Sequence, residues 1–166
     1  TLLPDNQQSS ESSRNIYPLD TSLIIEVDNI QIYNQTDNIV NIKTLGEYKS
    51  NYENLCKRKF RPDLSFLPYC GASAYPQSYV GIDRAKERGN LIQKLFKERF
   101  TEIALNINSG YYYPAGGTYT LRDKSLDPYK VVPNSIELRK LSNSCGEYLK
   151  EYIIDPGIGV FSHSKY

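Results

Sequence analysis

The chain of 166 residues contains no Trp, no Met, one His and three Cys. Each scarcity excludes some chemistry. The single histidine, His163, sits close to the end in the run Ser-His-Ser-Lys. A Ser-His-Asp or Cys-His catalytic arrangement would have to recruit that tail, and one chain cannot build a site from several histidines. Its plain reading is a solvated tail residue. None of Cys56, Cys70 and Cys145 stands at C-x-x-C spacing, which argues against a zinc or thioredoxin-like site. In an oxidising compartment they allow one disulfide with a thiol left over, and in a reducing one they are three small buried hydrophobes. Both arrangements stay open.

Long apolar runs are missing too. The longest, Leu23-Ile24-Ile25, stops at Glu26, far short of the ~18 residues a membrane-spanning helix needs. Charge is balanced, with 20 Lys and Arg against 19 Asp and Glu for a net +1, so no overall field draws nucleic acid or an anionic membrane. There is no G-x-x-x-x-G-K phosphate loop. Gly157-Ile158-Gly159 lacks a third glycine at the dinucleotide spacing and follows a predicted helix rather than opening one. No cofactor and no metal is expected.

What is present describes one folded domain. The chain is 39% hydrophobic and 23% charged, within the range of globular proteins. Fifteen Tyr and five Phe supply the aromatic surface, most of it with a polar tip that prefers a half-wet position. A chain without Met that opens at Thr1 reads as processed, shortened or stripped of its initiator. Residues 1–15 include Gln-Gln-Ser-Ser-Glu-Ser-Ser and too little apolar surface to offset ordering, which predicts a flexible tether. Residues 16–156 then form the domain and 157–166 a tail. A polar leash before a domain fits a secreted or envelope lipoprotein after its signal is removed, and so an extracytoplasmic location, with membrane contact only through the tether or a lipid anchor. An ordinary ragged terminus has the same look.

Periodicity predicts an α+β fold. Leu23, Ile25 and Val27 alternate, then Ile30 and Ile32 alternate in the other phase across Asp28-Asn29, the pattern of a β-hairpin or of one bulged strand. From Asp37 the spacing of Ile39, Ile42, Leu45, Tyr52 and Leu55 is helical, with Thr36 or Asp37 as cap. Three prolines and Gly71 make residues 62–80 irregular, though apolar enough to lie on the core. Ile82, Ala85, Gly89, Ile92, Phe96, Phe100, Ile103 and Ile107 form one stripe, predicting a long central amphipathic helix over residues 82–108 with a close neighbour at Gly89. Tyr111-Tyr112-Tyr113 and Thr118-Tyr119-Thr120 flank a Gly-rich link and read as a second hairpin. A last helix starts at Asn134, with Glu137 placed as in a capping box, and closes at Asp155-Pro156-Gly157. The sum is a single domain with that long helix, two further helices and two hairpins.

The binding candidates are Tyr111, Tyr112, Tyr113 and Tyr119, because tyrosine with glycine makes rigid aromatic anchors, and Arg84 with Arg88, which repel one turn apart unless each has a partner. A partner could be a carboxylate or phosphate; Glu87 is the plain alternative for Arg84. If the tyrosine hairpin is a recognition surface, Tyr112→Ser and Tyr119→Ser leave stability nearly unchanged. Glu26 and Asp28 share a face only if both lie on one strand, as paired catalytic carboxylates would. Lys57-Arg58-Lys59 with Arg61 reads as a solvated helix end, and no nucleic-acid partner is expected. The leading expectation is a non-enzymatic, exported or envelope-associated module acting by protein–protein contact in a larger assembly. The alternatives are an enzyme acting on carbohydrate or cell wall, with Glu26 facing another acid in a pocket, or a sugar-binding domain.

Overall fold

The computed structural model describes residues 2–3, 22–36, 39–71, 73–116, 119 and 121–154. Strands β2 (Ser22–Val27) and β3 (Ile30–Asn34) pair antiparallel, with Val27 opposite Ile30. Asp28 adopts φ 53° in the two-residue turn between them, a conformation Asp tolerates better than bulkier residues. The first hairpin is therefore as read. From β3 the chain crosses through helix α1 (Ile42–Cys56) to β4 (Leu64–Pro68), which lies parallel to β3. A longer crossover leads to β5 (Tyr111–Ala115), parallel to β4. Strand order follows chain order, and the two-residue β1 (Leu2–Leu3) adds to the outer edge of β2. Leu2 and Leu3 are thus part of the sheet, while the rest of the expected tether and the tail of residues 157–166 lie outside the described residues.

The architecture is one compact mixed α/β domain, in which helices connect parallel strands instead of segregating from them. Two expectations change accordingly. Residues 62–80 are not wholly irregular, because Leu64–Pro68 is an inner strand with its one proline, Pro68, at the end, where ladder donors matter least. The second hairpin does not form: β5 pairs with β4, and Tyr119 and Leu121 lie outside any strand. On the side of β5 away from β4, Tyr112 N–H donates to Tyr152 O (2.8 Å) and Tyr112 O accepts from Ile154 N–H (2.8 Å).

The long helix is present as a continuous run with a different interior. The α2 segment (Arg84–Leu95) is capped by Asp83, whose side chain accepts from Lys86 N–H. A π-helical turn (Phe96–Thr101) follows, then α3 (Glu102–Ile107), which stops at Asn108 with φ 59°. Successive four-residue spacings, Ile92 to Phe96 to Phe100, outrun a 3.6-residue turn by about 40° each. The wider π turn absorbs that drift and keeps the stripe facing inward. Ile92, Phe96, Phe100, Ile103 and Ile107 are buried, with Phe96 and Phe100 stacked at 5.0 Å. The stripe does not extend to the start of α2, where Ile82 and Ala85 are exposed, and a Cβ on Gly89 would meet nothing within 4 Å. Gly89 therefore marks no close approach, and the first turns of α2 are held by side-chain contacts instead, such as Arg84 over the Tyr129 ring.

Asn41, not Thr36 or Asp37, caps α1 by accepting from Thr44 N–H at 3.0 Å. The last helix opens as read: Asn134 accepts from Glu137 N–H and donates its own N–H to Glu137, both at 2.9 Å. It does not continue to residue 155. Gly146, at φ 82°, divides α4 (Ser135–Asn143) from α5 (Glu147–Lys150).

One face of the sheet carries the core. Ile24, Tyr33, Leu67 and Tyr112 project into a cluster with Leu45 and Tyr52 of α1, Phe100 and Ile103 of the long run, and Leu138 and Leu149 of α4 and α5. No disulfide joins Cys56, Cys70 and Cys145, each of which is half-buried. Among the described residues no helix is long and apolar enough to cross a membrane.

Candidate functional site

Successive residues of a strand point to opposite faces, so the positions between the core residues define a second face. It runs through Ile25 and Val27, Ile30 and Ile32, Leu64 and Phe66, and Tyr111 and Tyr113, matched by the registers Ile25↔Ile32, Ile32↔Leu64, Leu64↔Tyr111 and Phe66↔Tyr113. Phe66 and Tyr113 meet at 5.5 Å between ring centroids, and Tyr111 meets Tyr152 at 6.5 Å. Towards the hairpin tip this apolar face is bare: Val27 is 59% exposed, Tyr111 55%, Ile30 47% and Ile25 41%.

At the same end of the sheet a polar cleft of about 720 Å³ opens between the β2–β3 turn, the end of α1 and the loop before β5. Ile30 and Tyr152 border it, which joins it to the apolar face. Its floor is a network from three elements. Tyr52 of α1 donates its hydroxyl to Glu26 Oε1, and Gln31 Nε2 donates to that oxygen at 3.1 Å and to Tyr52 Oη at 2.8 Å. Gln31 Oε1 accepts from Arg61 N–H at 2.9 Å, and Asp63 accepts from Gln31 N–H at 2.8 Å. Arg58 reaches Glu26 Oε2 at 3.5 Å. These donors hold the Glu26 carboxyl below the usual carboxylate range, the Tyr52 hydroxyl first and the Gln31 amide second. Burial and the Glu26 charge push the Tyr52 phenol up to about 12. The pair is therefore an ionised acceptor and a firmly protonated donor.

Asp28 occupies the turn, so the shared-face geometry with Glu26 does not arise; both line the cleft with Asp63. Gln31 and Tyr52 were not among the candidates read from sequence. The available signal was a glutamine at an inward position of an otherwise apolar strand.

The tyrosine candidates separate. Tyr111 and Tyr113 lie on the open face, whereas Tyr112 points into the core at 4% exposure. Its hydroxyl donates to Ala104 O (2.9 Å) and accepts from Ser109 N–H (2.7 Å). Tyr119 stands elsewhere, donating to Gln77 Oε1 at 2.9 Å beneath the Lys130 ammonium. Arg84 donates to Gln77 O (3.2 Å) and lies 4.3 Å over the Tyr129 ring; Glu87 instead accepts from Tyr75 Oη at 2.7 Å. Arg88 binds Glu137 through both terminal nitrogens. Arg84, Arg88 and Tyr119 thus tie loops to the start of α2, apart from the open face. Among the described residues no group of three or more His, Cys, Asp or Glu is placed to hold a metal ion.

Comparison with protein-family models, with curated proteins and with solved structures finds no match for this chain.

Proposed function

We propose that the chain is a non-enzymatic module that works by protein–protein contact, and that the open sheet face is its contact surface. The observation that carries this reading is the exposure of Ile25, Val27 and Ile30 on the paired strands β2 and β3, with Tyr111 exposed on the same face two strands away. Contiguous bare apolar surface rimmed by polar groups marks interaction sites on folded proteins. Here the rim is the cleft with Arg58, Lys59 and Arg61. Placement outside the cytoplasm, in an envelope or secreted assembly, belongs to the same proposal and is supported only by the polar composition of residues 5–15. A photocrosslinking side chain at Val27 should form an adduct in extract of the source cells, and one at Leu55, exposed on α1, should not. Equal labelling at both positions, or none at Val27, would count against the proposal.

A second reading, a carbohydrate-binding or carbohydrate-cleaving cleft, is favoured by the presence of Glu26 and Asp63 in one polar cavity. Cleavage requires a carboxyl held protonated near neutrality. Glu26 is shifted the other way, so in such a pair it could serve only as the ionised member, not as the acid. Glycan-array binding lost in Glu26→Gln would support this reading over the first.

A further inference from the structure

We draw no further inference here: the strongest candidate, the cavity of about 1040 Å³ between the first turn of α1 and the half-buried Arg99 of the π-helical turn, offers an anion one guanidinium and a helix N-terminus but is lined as well by Glu47, Glu98 and Glu102, and nothing else in the structure points to a ligand there.

Discussion

Arg88 grips Glu137 with both arms, NH1 lying 2.7 Å from Oε1 and NH2 2.8 Å from Oε2. Arg88 Nε donates to Lys130 O at 2.8 Å, and Glu137 also accepts the Asn134 N–H that closes the α4 cap. One guanidinium therefore joins α2, the loop before α4 and the first turn of α4. The carboxylate that Arg88 could hold, on its sequence alone, is the chain's own.

Arg88→Ala should destabilise the domain by roughly 2 kcal/mol, short of the full cost of a deeply buried pair because Glu137 keeps some contact with water. The Arg88 guanidinium holds the Glu137 carboxyl below its ordinary 4.5. A depressed carboxylate pKa contributes stability that is complete above the unfolded value, ~4.3, and is lost as pH falls through the folded value. Urea midpoints measured from neutral pH to about pH 3 should therefore fall more steeply in the native chain than in Glu137→Gln. Parallel acid profiles would show that the pair contributes nothing.

Tyr111 and Tyr112 should part company under substitution. Tyr112→Ser removes a buried ring and both hydroxyl hydrogen bonds, and should cost roughly 4 kcal/mol. Tyr111→Ser trims an exposed ring and should change stability by under ~1 kcal/mol. Thermal melts decide this. Near-native stability of Tyr112→Ser would instead restore it to a surface role.

How much of this was legible follows from how local each decision is. The Asp28-Asn29 turn and the Asn134–Glu137 cap are settled by groups within four residues, and both stand as read. Strand β4 was not legible, because five residues between Pro62 and Pro68 show little pattern and both of its neighbours come from distant sequence. Three consecutive tyrosines carry no alternation at all. Which one turns inward is fixed by the register of Tyr112 with Ser65, a fact of the sheet and not of the segment. The Glu26–Tyr52–Gln31 network joins β2, α1 and β3, so no spacing rule could have found it. The exposed face was half visible, since Ile25 alternates with Val27 and Ile30 with Ile32, but only the register of β2 with β3 shows that the two phases share one face.

Two glycines should respond oppositely to alanine. A Cβ on Gly110 would lie 2.8 Å from the Asp63 carbonyl oxygen, which also accepts from Tyr111 N–H at 2.8 Å. Gly110→Ala should thus push β5 off β4 and cost roughly 1–3 kcal/mol. Gly46, in the exposed middle of α1, has nothing within 4 Å of its Cβ position. Gly46→Ala should raise stability by roughly 0.5–1 kcal/mol through helix propensity alone. Denaturant midpoints moving in the same direction for both would contradict the packing of β5 against β4.

The alkaline limit of the fold should be set by phenols. Burial, above all, pushes Tyr52 and Tyr69 up to about 12 each, and the Glu26 carboxylate adds to the shift at Tyr52. An unfolded tyrosine titrates near ~10. The folded chain therefore binds these protons more tightly, and the stability they contribute is complete below about pH 10 and lost as pH rises towards 12. Urea midpoints should fall across that interval, and tyrosinate absorbance for these two residues should appear together with unfolding. Tyr52→Phe should shallow the fall while leaving Glu26 without its hydroxyl donor, so that the carboxyl titrates closer to its ordinary value. A native chain whose midpoint is level from pH 10 to 12 would place Tyr52 and Tyr69 in water, and the floor of the cleft with them.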